Sequence, residues 1–241
     1  MGKAITESLL FHGATVYVLG KSDDKFSAAF SENKDLGQKL FFQYCNIADA
    51  VSVSDSFKTV FGITKRIDVL INNAFYSRGQ SPETMSDKDW MVGIDGVLNS
   101  VFKCIREIIP YFKMNNSGKI INVSSMYGII SPDFDVYKEF PGLLNPPNYG
   151  AAKAGIIQLS KYYAAYLGES GITVNTVTPG PFPSHETQQQ DGFINELKKR
   201  TCLKRIGKPE DLAGAFVFLS ADASDYITGQ NLIIDGGWTV R

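Results

Sequence analysis

The chain has 241 residues, 44% hydrophobic and 20% charged, with 24 Lys and Arg against 25 Asp and Glu for a formal net charge of −1. That balance gives no electrostatic reason to expect a nucleic acid or an anionic membrane as partner. No apolar run approaches the ~20 residues of a membrane span and no signal peptide is visible, while Cys45, Cys104 and Cys202 lack metal-ligand spacing, so the reading is a cytoplasmic protein with reduced thiols and no metal.

In chain order, a helical pattern over Lys3 to Phe11 leads through His12-Gly13, where the histidine reads as a helix cap, to a β-branched and aromatic strand, Thr15 to Leu19. A second strand is predicted over Lys39 to Cys45 and a helix over Ala50 to Phe61. Then come a strand at Val69 to Asn72, one long helix from about Asp87 to Phe112, a strand at Ile120 to Ser124 and a helix at Tyr149 to Leu167. A strand at Thr173 to Thr178, a helix at Pro209 to Leu219 and a strand at Asn231 to Asp235 complete the pattern. Strands alternating with helices predict a parallel sheet, and no linker or repeat divides residues 1–241, so a single α/β domain is expected.

Two stretches carry chemistry. Tyr149-Gly-Ala-Ala-Lys153 puts a phenol and an ammonium on one helix face, where the charge is expected to lower the phenol's pKa and make it a general acid/base. Ser124 and Ser125 end an apolar strand at the edge where open α/β sheets place their sites, and a hydroxyl there can hold a substrate oxygen. A Tyr-x-x-x-Lys spacing is common on solvated helices; the surrounding motifs raise its weight.

Those residues, with Asn72-Asn73-Ala74 after the third strand, Pro179-Gly180 after Asn175 to Thr178, the segments Arg205 to Asp211 and Ile227 to Gln230, and Asp235-Gly-Gly237, resemble the short-chain dehydrogenase/reductase family from Gly2 to the C-terminus. The resemblance implies a Rossmann-like, doubly wound parallel sheet and hydride transfer between a nicotinamide dinucleotide and a carbonyl or secondary alcohol. It assigns Ser125, Tyr149 and Lys153 as catalytic, with Lys153 also binding the ribose hydroxyls. Gly2, Gly20, Lys21, Asn46, Ile47, Asn73, Ala74, Tyr149, Lys153, Pro179, Gly180 and Phe182 are its candidate cofactor contacts. The family usually forms dimers or tetramers, so a homo-oligomer is expected.

Four departures from the family pattern stand out. Met1-Gly2-Lys3 already resembles the first helix, so the first strand and most of the glycine-rich loop are not seen; either the natural chain begins upstream or a central sheet position stands open and cofactor binds poorly. Phe75 replaces a glycine, and Val97 stands by register where the family has a fourth catalytic residue, an Asn, with Asn99 about 200° further round the helix. Ser125 and Tyr149 are 24 positions apart, with the insertion at 131–147 expected over the site mouth and Tyr137, Lys138 and Glu139 as contacts to substrate or a neighbouring subunit, or as mere surface. The lid after Gly180, Pro181 to Asp191, is polar and includes His185.

Leu19-Gly20-Lys21-Ser22 has no carboxylate at the strand end where one would bind the ribose 2′-OH, which favours NADP(H) over NAD(H). The polar lid favours a polar, sugar-like small-molecule substrate, and the insertion resembles a bacterial subgroup associated with flagellin glycosylation and nonulosonate sugars. The alternatives are a 3-oxoacyl-thioester reductase, for which the basic run Lys198-Lys199-Arg200 is the sole support, and a non-catalytic member that binds only cofactor or a partner.

Overall fold

The computed structural model describes residues 1–31, 39–79 and 81–240. In chain order the elements are α1 (Gly2–Phe11), β1 (Val16–Gly20), α2 (Asp23–Phe30), β2 (Leu40–Tyr44), α3 (Ala50–Thr64), β3 (Val69–Asn72), α4 (Asp87–Ile94), α5 (Ser100–Asn115), β4 (Gly118–Val123), α6 (Pro147–Leu167), β5 (Ile172–Pro179), α7 (Asp191–Arg200), α8 (Pro209–Ser220) and β6 (Asn231–Ile234). Every strand pairing is parallel, as the alternation predicts. The predicted long helix is divided: Asp95–Asn99 forms a π turn between α4 and α5. Sequence reading also passed over α2 and α7, two short helices of 8 and 10 residues.

Side-chain alternation explains the layers. In β4, Ile120 joins Val174 of β5, Val101, Ile105 and Phe112 of α5 and Ile156 of α6 on one face. The neighbouring Ile121 and Val123 join Val177 of β5, Ile5 of α1 and Leu212 and Phe216 of α8 on the other. A period-2 strand buried on both sides has no solvated face to show, and Asn122, Asn175, Thr176 and Thr178, polar residues that β4 and β5 do carry, are themselves buried.

The sheet is split. β1 and β2 form one two-stranded unit in register Val16 to Leu40 through Gly20 to Tyr44, while β3, β4, β5 and β6 form a four-stranded unit in that order. A cavity of about 1190 Å³ lies between them, lined by Val16, Tyr17, Val18, Leu19 and Gly20 of β1 and by Val69, Leu70, Ile71 and Asn72 of β3. Successive strand residues point to opposite faces, so a space touched by all of them meets the strands at their edges. Among the described residues no strand joins β1 to β3, and the parallel order continues on each side of the cavity.

Candidate active site

The carboxyl end of β4 sets the site. Ser124 and Ser125 follow its last residue, both buried, and Ser125 caps a short 3-10 turn by accepting from Tyr127 N at 3.2 Å. α6 starts at Pro147, whose fixed φ suits a first helical position, and this puts Tyr149 in the first turn and Lys153 one turn on. Ser124 Oγ donates to the Lys153 carbonyl at 2.8 Å, and Lys153 Nζ donates back to the Val123 carbonyl at 2.7 Å. Behind them, Asn72 Nδ2 donates to Asn122 Oδ1 at 2.8 Å and Asn122 Nδ2 donates to Ser160 Oγ at 2.9 Å, a buried chain that fixes α6 against β3 and β4. Gly128 completes the seat: a Cβ there would lie 2.7 Å from the Lys153 carbonyl carbon, so a side chain would push α6 away. Ser125, Tyr149 and Lys153 thus lie where β4 and α6 meet. Sequence reading missed Asn122 and Ser160, 38 positions apart, and named the Ser124 hydroxyl as a possible substrate contact where it instead ties to Lys153, 29 positions away.

The electrostatics correct one expectation. Burial raises the Tyr149 phenol above its usual value, and the Ser125 hydroxyl bonded to it pulls the other way. Lys153 lies beside the ring, 5.5 Å from its centroid, and spends its proton on Val123. The i, i+4 spacing aligns the ammonium with the ring's flank and not with its oxygen, so the expected lowering of Tyr149 by Lys153 is absent. Lys153 is itself 3% exposed, and desolvation lowers its pKa to about 8. Phe75 lies over this pair, with its ring centroid 5.8 Å from that of Tyr149 and 5.2 Å from the Lys153 ammonium.

Val97 is buried in the core with Ala152 and Ile156, so it offers no polar atom to a proton relay. Asn99 lies in the π turn and donates to Asp95 at 3.2 Å. The insertion is ordered but differs from its expected role. Tyr137 is buried, with its hydroxyl 2.6 Å from that of Tyr127, whereas Lys138 is exposed and pairs with Asp135 at 2.7 Å. Tyr137, Lys138 and Glu139 therefore form no common contact surface, because the 3-10 turn at Phe134–Tyr137 aims the phenol inward. The lid's polar residues, His185 among them, lie outward, but α7 turns Phe193, Ile194 and Leu197 inward against Met126, Tyr127, Val136 and Tyr137. The inner side of α7 is therefore buried and apolar, beneath a polar outer lid.

Gly2, Gly20, Lys21, Ile47, Asn73 and Ala74 all line the large cavity. α1 begins at Gly2 without an acidic residue in its first turn, the polarity that suits a phosphate, and a Cβ on Gly2 would lie 3.2 Å from Asn73 Nδ2. Asn46 is drawn into a local turn, where its Oδ1 accepts from Ala48 N at 3.3 Å. Pro179 ends β5 and Gly180 follows it beside Asp235, while Phe182 packs against the cluster of Ile5, Val177 and Leu212 and lies over Gly207. Gly2, Gly20, Lys21, Ile47, Asn73 and Ala74 thus share one cavity, whereas Tyr149 and Lys153 are not among its lining residues.

A family model described as enoyl-(acyl carrier protein) reductase matches residues 1–239. Among curated relatives, a 3-oxoacyl-(acyl-carrier-protein) reductase of Staphylococcus aureus is 36% identical over 242 residues, covering 98% of this chain and 93% of the relative. One from Thermotoga maritima is 34% identical over 245 residues, covering 100% and 94%. The crystal structure of a gluconate 5-dehydrogenase from Burkholderia cenocepacia, in complex with NADP and tartrate, superposes with a TM-score of 0.88 at 25% identity, covering 100% of this chain and 91% of that one. The chain belongs to the short-chain dehydrogenase/reductase family. It is an NAD(P)-dependent oxidoreductase by that membership.

Proposed function

We propose that this protein reduces 3-oxoacyl thioesters with NADPH, with residues 1–241 acting as one catalytic domain. The observation that carries the reading is the full-length similarity, at 34–36% identity, to relatives named as 3-oxoacyl-(acyl-carrier-protein) reductases. This replaces the sugar-like substrate as the leading assignment.

In this reading Ser125 donates to the substrate carbonyl oxygen and Tyr149 protonates that oxygen as negative charge develops on it. Burial keeps Tyr149 protonated at neutral pH, which suits the reducing direction. Lys153 and the segment Asn73-Ala74 hold the dinucleotide, and Gly2, Gly20, Ile47, Pro179, Gly180 and Phe182 complete its contacts. When bound, the dinucleotide supplies the hydride. Lys21, exposed at the end of β1 with no carboxylate on the strand, supports the phosphorylated cofactor. Homo-oligomer formation is assigned to the outer faces of α5 and α6, where Phe102, Tyr162 and Tyr166 are exposed. Three unbridged cysteines support a cytoplasmic location.

The second reading, oxidation or reduction of a hydroxylated acid, draws on the gluconate 5-dehydrogenase likeness and the outward polar lid. The deciding experiment follows NADPH consumption with acetoacetyl thioester and with a keto-gluconate. Turnover of the thioester at least about ten-fold more efficient upholds the first reading; the reverse preference transfers the assignment to the second, and turnover of neither rejects both.

A further inference from the structure

We propose that Phe75 is a positioning residue for the cofactor: its ring closes over the Lys153 ammonium, and a ribose hydroxyl reaches that ammonium only after the ring has turned aside. The proposal rests on the assignment of Lys153 to the dinucleotide. Phe75 stands where the family resemblance places a glycine, which has no side chain to cover a neighbour. Its ring centroid lies 5.2 Å from Lys153 Nζ, and that of Tyr149 lies 5.5 Å from the same nitrogen. Both distances are within the ~6 Å over which an aromatic face attracts a cation. Among the described residues the ammonium donates to the Val123 carbonyl at 2.7 Å and to no other acceptor, although a lysine ammonium can donate more than once. Lys153 is thus enclosed by a carbonyl and two rings, and it is 3% exposed. Of the two rings, that of Phe75 is the outer one: Phe75 is 48% exposed, whereas Tyr149 packs on the core around Ala152 and Ile156.

The backbone under Phe75 is fixed, so its freedom lies in the side chain. On one side Asn72, at the end of β3, donates from Nδ2 to Asn122 at 2.8 Å. On the other, Tyr76 is clamped to the π turn, where its N–H donates to the Gly96 carbonyl at 3.4 Å and its hydroxyl donates to Asp95. Asp95 is held in turn by Asn99 at 3.2 Å and by Lys103 at 3.0 Å. A Cβ on Gly96 would lie 2.0 Å from the Tyr76 carbonyl oxygen, so the clamp admits no side chain there. Between these anchors a half-exposed ring can change rotamer into solvent without moving the strand or α6. The closed position is favoured because the ammonium it covers is desolvated, the condition in which a cation–π contact is strongest. A ligand that needs the ring turned out binds more weakly in proportion to how rarely that state is populated, on the order of ten-fold for a contact of this kind.

The test compares the 241-residue chain with Phe75→Ala, which removes the ring, and Phe75→Leu, which keeps an apolar side chain without an aromatic face. NADPH affinity is measured by calorimetry, and the Lys153 titration of the ligand-free proteins is followed by NMR through the side-chain carbon next to the ammonium. Phe75→Ala is expected to bind NADPH at least about ten-fold more tightly, and Phe75→Leu at least about three-fold. In Phe75→Ala the Lys153 pKa is expected to climb from about 8 toward the ordinary ~10.4, since water takes the ring's place. Tyr149, the titratable group packed on the ammonium, is held above its usual value by burial and stays neutral at the start of that climb. Equal or weaker NADPH binding by the folded variants would overturn the proposal, the ring then being a wall of the site or a contact of the ligand. NADPH binding by none of the three proteins would overturn it too, and so would a Lys153 titration unmoved in Phe75→Ala. If Phe75→Ala does not fold, the affinity of Phe75→Leu decides. Thioester turnover judges the catalytic reading separately: turnover with unchanged variant affinities sinks only the role of Phe75, and tighter variant binding without turnover sinks only the substrate assignment.

Discussion

Ser124 and Lys153 hold each other's elements: the serine hydroxyl at the end of β4 donates to the lysine's carbonyl on α6, while the lysine's ammonium donates to the carbonyl of Val123, one residue before that serine. The two bonds close a loop between strand and helix, 2.8 and 2.7 Å long. They set the height of Tyr149 above Ser125, because Tyr149 lies one turn before Lys153 on the same rigid helix.

Ser124→Ala is therefore expected to cost about 1 kcal/mol in urea unfolding, the value of one hydrogen bond whose remaining acceptor still has its helical partner. It should also lower kcat, because the helix loses one of its two ties to the strand. Unchanged unfolding midpoint and slope would remove the tie from the stability of the site.

Tyr149→Phe keeps the ring on Phe75 and removes only the hydroxyl. The expected result is a fall in kcat of about 10² to 10⁴ with NADPH affinity within about two-fold of wild type. A loss of cofactor binding in place of turnover would reassign Tyr149 to positioning.

Lys153 gives stability a pH dependence at alkaline values. Its folded pKa is lowered to about 8 and an unfolded lysine titrates near ~10.4. Between those values the unfolded chain holds a proton that the folded chain has released, so stability relative to Lys153→Met should rise with pH across about 8 to 10.4 and be flat below. Denaturation of both proteins at several pH values measures the difference; a flat difference throughout would show that the ammonium is not desolvated.

Asp235 acts at the acid end. Burial pushes its carboxyl up, but donors from Thr239 and Gly237 outweigh it and hold the pKa below the ordinary range. Its stabilisation is complete above the unfolded value near ~3.9 and is lost as pH falls through the lower folded one. Asp235→Asn should cost roughly 1–3 kcal/mol at neutral pH and less in strong acid, read from unfolding midpoints at both.

The sequence by itself determined the layered parallel architecture and singled out Ser125, Tyr149 and Lys153 as candidates for the chemistry. Apolar runs such as Lys119 to Val123 fix a strand buried on both faces, and the Tyr149 to Lys153 spacing is a property of any helix. Tertiary structure decided what those residues experience. The depressed lysine, the raised tyrosine and the apolar inner side of α7 under a polar lid arise from contacts such as Lys153 with Val123 and Tyr127 with Tyr137, between residues 30 and 10 positions apart. Local periodicity carries no record of such distances, because burial and pKa depend on which surfaces the fold brings together. The same holds for the cavity between β1 and β3, since only the packing of α1, α3 and α5 brings the residues that line it together.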